Sequence, residues 1–94
     1  MKTTTYAEWL KTQLQERDLL RHGNATAVAT LFRVNVATVY RWLNGKRVPR
    51  GNQMLYVAAA LAGRDGELFA QLLLEQVCIQ TLGTLDYQQF LADA

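Results

Sequence analysis

The stretch Val28-Ala29-Thr30-Leu31-Phe32-Arg33-Val34-Asn35-Val36-Ala37-Thr38-Val39-Tyr40-Arg41-Trp42-Leu43-Asn44-Gly45-Lys46-Arg47-Val48-Pro49 decides the fold. It divides into two short helical segments around a tight corner, then a basic loop that closes on the only proline. Ala29 puts a small side chain where two helices have to approach. Asn35 stands where an N-cap is needed. Val34, Val39 and Trp42 recur at helical spacing, which leaves Thr38 and Arg41 on the other face. Two short helices joined in this way form a helix-turn-helix.

The charge pattern singles out the same region. Between Leu19 and Arg64 there is no Asp or Glu, yet Arg21, Arg33, Arg41, Lys46, Arg47, Arg50 and Arg64 all fall there. Residues 65–94 reverse this, with Asp65, Glu67, Glu75, Asp86 and Asp93 and no Lys or Arg. A formal net charge of +2 hides this division. A cationic middle beside an anionic tail fits a polyanion partner held by the middle and avoided by the tail.

On either side, the periodicity predicts further helices. Thr5-Tyr6-Ala7-Glu8 matches a capping box. It opens a helix whose apolar stripe runs through Tyr6, Trp9, Leu10 and Leu14 to Leu19 or Leu20, with an end expected near Arg21 before His22-Gly23. Asn24 is placed to cap a second helix over residues 25–32, and Asn35 a third over residues 36–44. Arg33 takes the corner, where a left-handed backbone favours Gly or Asn. A fourth, largely apolar helix is expected over residues 52–62 and a fifth over 66–81, capped by Asp65. Leu72-Leu73-Leu74 makes the fifth apolar on more than one face, as if buried both in its own chain and against another. Thr84 or Asp86 starts a short last helix with Tyr87, Phe90 and Leu91.

A chain of 94 residues fits one small all-α unit. The reading divides it into residues 1–64, carrying the helix-turn-helix, and residues 65–94, a helical arm. The single cysteine, Cys78, rules out an internal disulfide framework and suits a reducing cytoplasm. The longest apolar run, Met54 to Ala62, falls far short of the roughly 20 residues that span a bilayer, and charges interrupt residues 1–20 as they would not in a signal peptide. Cytoplasmic residence, with no membrane partner, is the expectation. One His and one Cys give no metal-ligand spacing, no nucleophile motif and no phosphate-cradling glycine loop. No catalytic activity, small-molecule substrate, metal or cofactor is expected.

The stretch from Val28 to Pro49 resembles the helix-turn-helix of the Cro/CI-type phage repressor family, also called the XRE family. Val28-Ala29, Val34, Thr38-Val39, Arg41-Trp42, Asn44-Gly45-Lys46-Arg47 and Pro49 fall on the family pattern without a gap. The resemblance covers about a quarter of the chain and implies a five-helix fold. It further implies a sequence-specific transcriptional regulator, a repressor by family habit, that binds double-stranded DNA as a homodimer. By that likeness Val36, Ala37 and Arg41 match base-reading positions. Asn24, Thr38, Asn44, Lys46 and Arg47 match phosphate contacts, and Arg33, Asn35, Tyr40 and Arg50 join them as neighbours of the same surface. Two departures stand out: Ala25 replaces a frequent Gln, and Arg33 replaces the corner Gly.

The chemistry of these side chains agrees. A guanidinium donates two hydrogen bonds to guanine O6 and N7, whereas Val36 and Ala37 suit a thymine methyl. Lys46, Arg47 and Arg50 position the protein without choosing sequence. Alternatives stay open for single residues: Thr38 in a local backbone bond, Tyr40 packed on the helix surface, Arg41 as a solvated charge. Leu68, Phe69, Leu72, Leu73, Val77, Tyr87 and Phe90 are the expected homodimer contacts. The alternative function is an antitoxin or accessory subunit that holds another protein through the apolar arm.

Overall fold

The computed structural model describes residues 3–21, 24–86, 88 and 91–92. Its order is α1 (Tyr6–Glu16), α2 (Ala25–Phe32), α3 (Val36–Leu43), α4 (Asn52–Ala62) and α5 (Gly66–Leu82). No strand occurs among the described residues, and no helix there is long and apolar enough to cross a membrane.

The capping box forms. Glu8 N–H donates to Thr5 Oγ1 at 3.2 Å, and Thr5 N–H donates to Glu8 Oε1 at 3.3 Å. Tyr6, Trp9, Leu10 and Leu14 then point into the core. The helix does not reach Arg21; it ends at Glu16. Asp18 turns left-handed at φ 59°, Asp18 N–H donates to Gln15 O at 3.0 Å and Leu19 N–H to Leu14 O at 2.7 Å. This pair of bonds is a Schellman motif, which satisfies two carbonyls and folds Leu19 back onto the core. Leu19 therefore continues the apolar stripe from a turn and not from a helix, which misled the periodicity. Arg21 secures that turn through an ion pair with Asp18 at 2.8 Å.

The core centres on Trp42 and Phe32, with ring centroids 6.3 Å apart. Leu10, Leu14, Val28, Val39, Val57 and Leu72 fill the space around them, and Ala29 sits at the α2 contact as a small buried residue. Burial of each large apolar side chain contributes about 1.5–3 kcal/mol.

The division at 64/65 is not a break in this core. Leu72 and Ile79 of α5 lie in it. Gln76, fully buried, accepts from Tyr6 Oη at 2.8 Å and donates to Met54 O at 3.0 Å, which links α1, α5 and α4. Trp9 Nε1 donates to Glu75 Oε1 at 2.9 Å, and Thr4 N–H to Gly83 O at 3.0 Å. Burial holds the Tyr6 phenol protonated, far above its ordinary range. Residues 66–82 thus complete the domain; α5 is not an appendage.

Candidate functional site

The corner between α2 and α3 is left-handed at Arg33, with φ 59° and ψ 43°. Arg33 N–H donates to Thr30 O at 3.2 Å and Val34 N–H to Ala29 O at 3.0 Å, again a Schellman motif. The left-handed backbone costs a non-glycine residue roughly 1–2 kcal/mol. The Arg33 guanidinium carbon lies 4.9 Å from the centre of the Tyr56 ring, a cation–π contact that offsets about 0.5–1 kcal/mol at an exposed position. Val34, the next residue, is half-buried against the core.

Asn35 caps α3. Its Oδ1 accepts from Thr38 N–H at 2.8 Å and from the Thr38 hydroxyl at 2.9 Å. Val39 and Trp42 are buried, so Val36, Ala37, Tyr40, Arg41 and Asn44 are left outward and exposed. Asn24, by contrast, makes no side-chain cap bond to α2 and has helical backbone angles. That expected cap is corrected: with ψ at −8° its side chain does not turn back onto the α2 amides.

The basic loop is bound to the end of α3. Gly45 is left-handed at φ 74°, Gly45 N–H donates to Trp42 O at 3.3 Å, and the N–H groups of Lys46 and Arg47 donate to Arg41 O at 2.9 and 3.3 Å. Pro49 is fully buried and anchors the far end. The chain then enters α4, where Arg50 N–H donates to Gln53 Oε1 at 3.0 Å.

This geometry makes an open cleft of about 500 Å³ lined by Thr38, Arg41, Trp42, Lys46, Arg47, Val48, Arg50 and Gln53. It has four cationic side chains and no acidic one. Among the described residues the one ion pair is Arg21 with Asp18, so none of these four cations is paired with a described acid. Like charges held together at a wet surface repel one another and favour an anion with several charged oxygens.

Thr38, Arg41, Lys46, Arg47 and Arg50 therefore come together as expected from sequence. Val36, Ala37 and Tyr40 lie on the same short helix, with Asn44 at its C-cap, outside the cleft lining, and Tyr40 also borders a smaller hollow with Val39, Leu43 and Leu19. Arg33 is drawn away to Tyr56, and Asn24 is half-buried. Gln53 was not foreseen. It reaches the cleft because the loop brings the first turn of α4 there, where Arg50 N–H donates to Gln53 Oε1, and a lone Gln after Gly51-Asn52 carries no signal of that.

The expected dimer contacts separate in the same way. Leu72 is 2% exposed and faces its own core, so it is withdrawn from that set. Leu68, Phe69 and Leu73 are half-buried against the core. Val77 is exposed, and Leu74, not foreseen as a contact, is exposed beside it. Tyr87 and Phe90 lie outside the described residues. The outward stripe of α5 is Ala70, Leu74, Val77 and Thr81, at alternating spacings of four and three. Cys78 is buried, and that burial, followed by the Glu75 charge, pushes its thiol pKa up, away from thiolate chemistry. No group of His, Cys, Asp or Glu suited to a metal ion occurs among the described residues.

Comparison with protein-family models, curated proteins and solved structures returns no match.

Proposed function

We propose that this chain is a sequence-specific double-stranded DNA-binding regulator of transcription, a repressor of the Cro/CI type, with α3 in the major groove. One observation carries the reading. An exposed helix face, running from Val36 to Arg41, stands beside a cleft whose Arg41, Lys46, Arg47 and Arg50 have no acidic partner among the described residues. An α-helix with its side chains is about 10–12 Å across, a diameter that a groove about 12 Å wide admits. Arg41 is the guanine reader, beside Val36 and Ala37. Lys46, Arg47 and Arg50 grip phosphates, joined by Asn44 and by Thr38 once its hydroxyl leaves Asn35.

In this reading the protein works in the cytoplasm as a homodimer, paired through the α5 stripe. Its two copies of α3 contact half-sites about 34 Å apart on a near-palindromic operator. Selection of bound duplexes from a random pool tests it. The expected result is a two-fold-symmetric consensus whose log K falls steeply with log salt. Recovery of no sequence, together with a flat salt plot, would sink the proposal.

The exposed Leu74 and Val77 favour one second reading, in which α5 holds a different protein and DNA binding is accessory. Light scattering on the purified chain separates the two. A homodimer that Leu74→Asp converts to a monomer supports the first, and a monomer that pairs only with a co-expressed foreign chain supports the second.

A further inference from the structure

Arg33 holds a left-handed backbone, φ 59° and ψ 43°, at a corner where glycine would be unstrained. The stack of its guanidinium on Tyr56, 4.9 Å from the ring centre, offsets only part of that cost. The cationic cleft does not use the side chain, since Arg33 is not in its lining. No acid among the described residues pairs with it. Backbone strain that packing leaves uncompensated points to a use for the side chain.

Exposed apolar side chains lie on both elements that the stack joins. Leu31, two residues before Arg33, is 50% exposed; on α4, Leu55 is 45% and Tyr56 itself 37% exposed. Ala59, one turn beyond Leu55 on the same face, is exposed as well. No Asp or Glu occurs from Leu19 to Arg64, so neither α2 nor α4 has a carboxylate of its own. Arg64, also exposed, follows the far end of α4. The face is apolar with cations at its margins. Leu31, Leu55, Tyr56 and Ala59 do not line the cleft, so filling the cleft leaves this face open.

Three occupants fit poorly. A phosphate backbone suits the cations but gives Leu31 and Leu55 nothing to pack on. An extended segment needs an unpaired sheet edge, and no strand occurs among the described residues. The chain's own acidic helix, α5, gives Glu75 to Trp9 Nε1 at 2.9 Å and to Gln71 Nε2 at 3.0 Å, and its outward stripe is already taken by the pairing proposed above. We infer that the α2–α4 face of Leu31, Arg33, Leu55 and Tyr56 docks an acidic amphipathic helix of another protein. The apolar stripe of that helix covers Leu31, Leu55 and Tyr56. A carboxylate beside the stripe accepts from the Arg33 guanidinium, which the Tyr56 ring holds in place. Docking there needs no DNA.

The test uses the full chain, without DNA, and a displayed library of helical peptides about 15 residues long. Each peptide has leucine at i, i+4 and i+7, with flanking positions drawn equally from Glu, Lys and Gln. Selection is expected to return peptides rich in Glu beside the leucine stripe. In fluorescence anisotropy the selected peptide should bind Leu55→Asp at least about tenfold more weakly and Arg33→Gly about fivefold more weakly. Arg33→Glu should shift the preference towards the Lys-flanked form of the same peptide, which an unfolded variant would not do. The triple variant Lys46→Ala, Arg47→Ala, Arg50→Ala should bind the peptide as the wild-type chain does. Recovery of no peptide, or of peptides without a charge preference, overturns the inference. Binding that survives Leu55→Asp overturns it as well, and so does binding lost in the triple variant, which would place the acidic helix in the cleft. If Leu55→Asp lowers self-association of the isolated chain in light scattering, a second copy is the occupant and the inference fails. Each of these results leaves the DNA-binding reading standing.

Discussion

Two sides of the molecule that meet at the start of α4 have very different surroundings. On the α1–α5 side, polar groups are matched in pairs: Tyr6 with Gln76, Gln76 with Met54, Trp9 with Glu75. No buried side-chain nitrogen or oxygen among the described residues lacks a partner. On the α3 side, Arg41, Lys46, Arg47 and Arg50 surround one cleft with no acidic partner among the described residues. The first region is closed and serves stability. The second is open, and its four cationic side chains are exposed. Substitutions should therefore separate cleanly, with stability lost on one side and binding on the other.

The largest expected effect is Gln76→Ala. It leaves the Tyr6 hydroxyl and Met54 O without their partner and opens a void in a fully buried site. A loss of about 3–5 kcal/mol is expected, read as a lower urea midpoint. DNA affinity of the fraction that remains folded should be unchanged. A shift of less than about 1 kcal/mol would mean that the polar joint is not a closed unit.

Next is the triple variant Lys46→Ala, Arg47→Ala, Arg50→Ala. Stability should stay within about 0.5 kcal/mol, as for exposed surface positions. The salt slope of duplex binding should shrink by about 3 per protomer, with roughly a hundredfold loss of affinity near physiological salt. An unchanged slope, measured by titration at several salt concentrations, would show that the cleft does not grip phosphate.

Arg41→Ala is expected to cost about 1–3 kcal/mol of discrimination at one base pair, with a smaller change in salt slope. Competition between the selected site and its single-base variants reads this directly. Retention of the full preference would reassign Arg41 to the backbone grip that its position in the cleft also allows.

The smallest effect is expected at Arg33→Gly. The substitution relieves about 1–2 kcal/mol of left-handed strain and forfeits about 0.5–1 kcal/mol of contact with Tyr56. The net change should be a gain below about 1 kcal/mol in thermal or urea unfolding. A clear destabilisation would show that the stacked guanidinium matters more than the backbone strain.

Much of this arrangement was legible in the chain. The bounds of α2 and α4 and the outward positions of α3 followed from local patterns: a 3.6-residue period, an Asn cap, a helix-ending Gly. So did the gathering of Arg41, Lys46, Arg47 and Arg50, because the loop between them is short. What was not legible depends on contacts between distant segments. Leu19 looked helical because a turn returns it to the stripe that α1 had left. Leu72 looked like a partner contact because a run of three leucines does not say which one faces inward. Gln53 and the Arg33–Tyr56 stack depend on where α4 lies, and no local rule places it. Nothing in composition distinguishes Gln76, a polar residue that closes the core, from the exposed Gln71 and Gln80.

The Asn35–Thr38 pair has a consequence for how such a chain can change over generations. The pair, with Val39 and Trp42 beneath, holds α3 in place by itself. Positions 36, 37, 40 and 41 are all exposed, and the side-chain bonds of the first turn are made by Asn35 and Thr38 instead. They form a replaceable label on a fixed backbone. Descendants can diverge at those positions first and fastest while remaining as stable as their ancestor. A library randomised there should yield folded proteins of new specificity, whereas one randomised at positions 35 and 38 should yield many that do not fold.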